Sequence, residues 1–148
     1  MKKKLLVLLM IAMAVVTIGC GSQTATDTEQ TAETQQTPPN LIGEWKQVNS
    51  GSDTSYQSAT IQDNTIEIYW VDEETETKSL YWAGSFVAPT TADEPYTWDS
   101  ENDTEKTSTA IMASSDTTKT MTYENNQISY ETSIMGTTQT VRLEKVEN

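Results

Sequence analysis

Histidine is absent from this chain, and cysteine occurs once, as Cys20. Those two gaps remove much of enzyme chemistry. A Ser-His-Asp or Cys-His catalytic arrangement cannot be assembled, nor can a zinc site built on imidazoles or on several thiolates. A disulfide within the chain is excluded as well. Basic residues are scarce: nine Lys and Arg stand against 22 Asp and Glu, a formal charge of −13. Proteins hold nucleic acid largely by neutralising phosphates with Lys and Arg, so no nucleic-acid partner is expected. A peripheral grip on anionic lipid is disfavoured for the same reason. No two carboxylates can be paired from the sequence as an acid and a base. The expectation is a non-enzymatic protein with no cofactor and no metal.

Long apolar runs are also missing, except at the start. Leu5 to Ile18 is apolar but for Thr17, follows Lys2, Lys3 and Lys4, and ends at Gly19-Cys20. A bilayer-spanning helix needs ~20 such residues, and this run is shorter. A basic beginning, a short apolar stretch and a small residue before a cut site describe an export signal. Thr17-Ile18-Gly19-Cys20 resembles the lipobox of bacterial lipoproteins. That resemblance implies a diacylglyceryl group on the Cys20 thiol and cleavage before it, with Cys20 opening the mature chain. It also implies residence on the outer face of the bacterial cell membrane, held through the lipid on Cys20. Two acyl chains anchor stably where one holds marginally. Loss of residues 1–19 would remove three lysines and no acid, and so leave a formal charge of −16.

From Gly21 to Pro39 the chain reads GSQTATDTEQTAETQQTPP, with no aromatic and no aliphatic side chain larger than alanine. Such a stretch cannot bury enough surface to offset the entropy of ordering. With Cys20 it forms a segment, 20–39, expected to be a disordered tether; as a coil it would span ~24 Å. Residues 40–148 are long enough for one modest folded domain.

In that domain apolar residues recur at every second position, in short runs rich in Thr, Ile, Tyr and Trp and bounded by Asn, Asp, Gly or Pro. This is the pattern of antiparallel strands. A two-residue turn at Asp63-Asn64 would set Ile61 opposite Ile66 and Ala59 opposite Ile68. TIEIYWVD and KSLYWAGSF should fold back around Glu73–Thr77, with Asp72 opposite Lys78. Trp70 then meets Leu80, Ile68 meets Trp82, and Tyr69 and Tyr81 pair on the outer face. A turn at Asn125-Asn126 sets Tyr123 opposite Ile128 and Met121 opposite Tyr130. A return near Gly136-Thr137 sets Tyr130 opposite Leu143, Thr132 opposite Val141, and Glu131 opposite Arg142 as an exposed ion pair. LIGEWKQV, SYQSATIQ, EPYTWD and STAIMAS complete the strands. The expected fold is all-β: a small antiparallel meander barrel of eight or nine strands without a helix, or alternatively a two-layer β-sandwich.

Gly43-Glu44-Trp45 on the first strand resembles the G-x-W opening of lipocalins and their calycin relatives. The resemblance implies a closed barrel, and an arginine from the last strand packed across the tryptophan. Arg142 lies on that strand, although its alternation phase turns it outward with Glu131.

Three groups of residues are candidate sites. The inward aromatics Trp45, Trp70, Trp82, Phe86, Tyr96, Trp98, Tyr123 and Tyr130 would either line a small-molecule cavity or fill the core. Asp99-Ser100-Glu101-Asn102-Asp103-Thr104-Glu105 alternates carboxylates in the manner of a calcium loop. It lacks the EF-hand glycine at Thr104 and the closing glutamate at Ala110, so a solvated hairpin loop is expected instead. Asn102-Asp103-Thr104 is also a glycosylation sequon, discounted for a bacterial lipoprotein. Tyr69 and Tyr81, with Val71 and Val87, would form an exposed stripe for a partner protein or glycan unless the loop Ala88–Pro95 covers it. The leading functional expectation is a membrane-anchored, non-enzymatic binding module whose partner is an envelope protein or glycan. The alternatives are a lipocalin-like carrier of a small apolar ligand and an accessory or inhibitory domain acting on an envelope enzyme or on phage entry.

Overall fold

The computed structural model describes residues 36–134 and 136–147. The expected signal peptide, Cys20 and most of the expected tether lie outside the described residues. Eight strands follow one another: β1 (Gly43–Gln47), β2 (Ser55–Gln62), β3 (Thr65–Asp72), β4 (Thr77–Ser85), β5 (Tyr96–Glu101), β6 (Thr118–Glu124), β7 (Gln127–Ile134) and β8 (Thr137–Lys145). One short helix, α1 (Thr104–Thr107), lies between β5 and β6. The strands form a single antiparallel sheet in the order β4-β3-β2-β1-β8-β7-β6-β5. The first and last strands are therefore neighbours in the middle, and the two edges are β4 and β5, consecutive in sequence. The sheet curls until these edges nearly meet, and the result is an almost closed meander barrel.

The seam between β4 and β5 is held at one point. Gly84 bridges to Asn102, the Asp103 amide donates to the Ala83 carbonyl at 2.8 Å, and Trp82 Nε1 donates to Ser100 Oγ at 2.9 Å. Gly84 makes the approach possible. A Cβ there would stand 2.4 Å from Ser100 Oγ and 2.6 Å from the Glu101 carbonyl oxygen, closer than van der Waals contact permits.

The β2–β3 hairpin has the expected register, with Ile61 opposite Ile66 and Ala59 opposite Ile68. Asp63 supplies the positive φ that a tight two-residue turn demands. In β3–β4 the pairing of Ile68 with Trp82 stands, but a bulge follows it. Tyr69 lies opposite Leu80, Trp70 opposite Ser79 and Asp72 opposite Thr77. A bulge places one extra residue on one strand and thereby reverses the alternation beyond it. Tyr81 is consequently turned into the barrel, and the outer tyrosine pair does not exist. Tyr123 faces Ile128 as expected, but the β6–β7 ladder ends at Thr122–Ser129, short of Met121 and Tyr130. Lys119 reaches across the wedge where the strands part, 3.4 Å from the Glu131 carbonyl.

The β7–β8 register is two residues from the expected one: Ile128 faces Leu143, Tyr130 faces Val141 and Ile134 faces Thr137. The turn is centred one residue earlier, where Gly136 has φ +80°. A shift of two keeps every side chain on its face and changes only the partners. Arg142 accordingly lies opposite Ser129, Glu131 lies opposite Thr140, and the ion pair is lost. STAIMAS is not a strand. After α1 the chain turns twice, through the Thr107–Ala110 and Ala110–Ala113 hydrogen bonds, and leaves Ile111 fully exposed.

The core runs along the axis as one cluster: Leu41, Trp45, Ile61, Ile66, Ile68, Trp82, Phe86, Trp98, Met121, Tyr123, Ile128 and Leu143 are all buried. The chain enters at the end of the barrel that also carries the turn at residues 63–64, the β4–β5 loop and the turn at 125–126. There Leu41 is buried, Trp45 Nε1 donates to the Leu41 carbonyl at 2.9 Å, and Lys145 Nζ donates to the Asn40 carbonyl at 2.7 Å. This end is closed. The other carries the loops after β1, β3, β5 and β7, and it is open.

Candidate functional site: the open mouth of the barrel

Alternation continues to direct every second side chain inward at the open end, but the residues delivered are different. They are Gln47 from β1, Ser55 from β2, Trp70 from β3, Ser79 from β4, Thr132 from β7, and Gln139 with Val141 from β8. Together they border a cleft of about 420 Å³. Trp70 is half-buried and meets Tyr81 edge-on at 5.5 Å, and Tyr81 in turn stacks on Tyr130 at 6.4 Å. The floor is polar. Gln57 is wholly buried across from Trp70, and its Oε1 accepts from the Tyr130 hydroxyl. Its Nε2 has no partner, and neither does Oγ1 of Thr132, a residue only 2 % exposed. A buried polar group left unpaired costs ~1–3 kcal/mol, so each one calls for an explanation.

The rim is acidic. Asp72 accepts from the Thr75 amide at 2.9 Å and from Ser55 Oγ at 3.1 Å, and these bonds, the Thr75 amide first, hold its carboxyl below the usual range. Glu73 accepts from the Tyr56 hydroxyl at 2.7 Å, while Lys46 lies 3.9 Å above the Tyr56 ring. Beside the cleft, the loop after α1 exposes Ile111 and Met112 near Ile134 and Trp70, around a second depression of about 500 Å³.

One cation is buried nearby. Lys119, 6 % exposed, points inward on β6, donates to Asp116 at 2.8 Å, and stands 5.3 Å from the Tyr81 ring centre. Burial works to lower its pKa, but the hydrogen bonds to Asp116 and Tyr81 outweigh it and hold the ammonium above the ordinary lysine value. Lys119 is therefore a paired charge sealing the β6–β7 wedge.

Of the aromatic candidates, Trp45, Trp82, Phe86, Trp98, Tyr123 and Tyr130 are buried and pack on one another. Trp45 meets Tyr123 at 6.4 Å, Phe86 meets Trp98 at 5.4 Å, and Tyr96 stacks on Trp98 at 5.7 Å. Only Trp70 borders the cleft. The segment Asp99–Glu105 is committed to structure. Asp99 accepts from Thr120, Ser100 is buried against Trp82, Asn102 joins Thr107 to the Asp116 carbonyl, and Asp103 caps α1. Among the described residues, no three acidic, Cys or His side chains converge as a metal site.

Tyr69 alone remains on the outer face. Its hydroxyl donates to Glu67 at 2.6 Å, Lys106 donates to the same carboxylate at 2.6 Å, and Lys78 stands 4.3 Å from the Tyr69 ring centre. The Glu67 bond, and burial after it, push Tyr69 up to about 12. Val71 borders the mouth, and Val87 is exposed. The β4–β5 loop is tied to the far side through Glu94, which accepts from the Asn125 amide at 2.7 Å. Arg142 is exposed and does not cover Trp45. The polar floor was overlooked in the sequence, although Gln57 and Lys119 each occupy an inward position of an alternating run.

The chain matches no protein-family model, no curated protein and no solved structure.

Proposed function

We propose that this chain is an exported bacterial lipoprotein, anchored through lipid on Cys20 to the outer face of the cell membrane. Its barrel is a non-enzymatic module that binds an envelope component through the open mouth. The observation that carries the second statement is the cleft bordered by Trp70, Ser79 and Gln139, with the buried hydroxyl of Thr132 unpartnered at its floor. Small-molecule sites combine such an apolar wall with a few placed polar groups, typically in ~300–1,000 Å³. The anchor rests on Lys2–Lys4, the apolar run and Gly19-Cys20. A deep carrier of apolar ligands is less well supported, because Trp45 and Trp82 are fully buried and packed instead of lining a chamber.

Two measurements test this reading. A fatty-acid analogue should label the wild-type protein in cells and not the Cys20→Ala variant; label retained by the variant refutes the anchor. Full-length Cys20→Ala protein, which carries no lipid, should be retained on washed cell-wall material stripped of membrane lipid, and adding Ser79→Trp, which fills the mouth, should abolish retention. Undiminished retention of that variant refutes the mouth as the binding surface.

A further inference from the structure

The groups around the mouth restrict what can enter it. Thr132 Oγ1 borders the cleft, buried and without a partner, so an occupant that displaces water there must offer it a hydrogen bond. A hydrocarbon would leave it unsatisfied. One water needs only about 30 Å³, and the cleft has about 420 Å³, so water at the floor leaves most of the space to fill. The lysine at the rim, Lys46, is paired with Glu73 at 3.7 Å, Asp72 stands ionised beside the cleft, and the chain as a whole is strongly acidic. An anionic ligand is therefore repelled. Asp72 is the one carboxylate in the lining, and with Ser55 and Thr75 already bonded to it a cation would find a single shared countercharge and no second acid beside it. A neutral molecule remains, with an apolar face for Trp70 and hydroxyl or amide groups for Thr132, Ser79 and Gln139.

We propose that the mouth binds a neutral saccharide, with one pyranose ring laid against Trp70 and its oxygens turned to Thr132 and Gln139. The C–H face of a pyranose ring carries slight positive charge and suits the negative face of an indole. Its hydroxyls donate and accept at once, which matches a lining of Thr132 and Ser79 hydroxyls and the Gln139 amide. This inference rests on the mouth being the binding surface and adds the chemical class of what it holds.

The test uses the full-length chain in a polyoxyethylene detergent, which has no sugar headgroup. N-acetylchitotriose, cellotriose and maltotriose are titrated by calorimetry and by tryptophan fluorescence. Saturable binding of at least one, with Kd at or below ~1 mM, is expected. Thr132→Val, which keeps shape and removes the hydroxyl, should weaken it about tenfold, and so should Gln139→Ala on the exposed side. Equal affinity in all three proteins would assign the floor to structural water and overturn the proposal. Envelope retention run in parallel separates the two readings. Retention lost in Ser79→Trp with no trisaccharide bound overturns the saccharide alone. Retention unchanged in Ser79→Trp overturns the mouth, and the saccharide with it.

Discussion

At the closed end, the inward positions of β1, β2 and β7 hold Trp45, Ile61 and Ile128; at the mouth the same phase of the same strands delivers Gln47, Ser55 and Thr132, and β4 adds Ser79 beyond its bulge. The first set is sealed by Leu41 and Phe86, while the second borders a cleft. Each large side chain buried below contributes ~1.5–3 kcal/mol, while each unpaired polar atom above subtracts ~1–3 kcal/mol. Both ends carry such a cost, Trp98 Nε1 at the closed end and Thr132 Oγ1 with Gln57 Nε2 toward the mouth, but only the closed end offsets it with a set of packed large side chains. A sequence that keeps polar residues at inward positions, where apolar ones would stabilise, has a use for them beyond folding.

The contrast is tested first by emptying each end. Trp45→Ala should cost ~3–5 kcal/mol in urea unfolding, because it leaves a cavity in packed surroundings. Trp70→Ala, at the half-buried rim, should cost less than half as much; equal losses would erase the distinction. Gly84→Ala should cost ~1–3 kcal/mol, since the added methyl overlaps Ser100 and Glu101 across the seam. Thr132→Val should change sign and stabilise by about 1 kcal/mol, since it removes an unsatisfied hydroxyl. A loss there would mean that the hydroxyl is bonded after all.

The smallest effect lies outside both ends. Lys106, then Tyr69, hydrogen-bond Glu67 and lower its pKa from 4.5. The stability linked to this shift is fully present above the unfolded value and is lost as pH falls through the lowered folded one. Screening limits it to about 0.5 kcal/mol. Glu67→Gln should therefore match the parent in acid, fall slightly below it at neutral pH, and bring the Tyr69 titration down from about 12. Denaturation curves at pH 3 and pH 7, with absorbance titration of tyrosine, check both shifts.

The strand pattern was legible because alternation is a local property. Ile61–Ile66 and Tyr123–Ile128 flank two-residue turns, and such turns admit few registers. The two register differences have one physical root, an extra or displaced residue that the pattern does not mark. The bulge after Ile68 turned Tyr81 inward, and a turn one residue early moved Arg142 from Glu131 to Ser129. Both leave composition and local hydrophobicity untouched. The polar floor was hidden for a different reason. Gln57 and Thr132 face inward by phase, but whether an inward polar residue is paired depends on strands far away in sequence.

The pairing of β1 with β8 has a consequence for geometry outside the fold. The described residues before β1 and after β8 both lie at the closed end, and the mouth lies a strand's length away, roughly 25 Å for the eight residues of β2. A body held by its first residues swings about that point of attachment. Anything that holds the barrel through the residues before β1 therefore meets it at the end opposite the mouth, and the attachment itself does not cover the aperture.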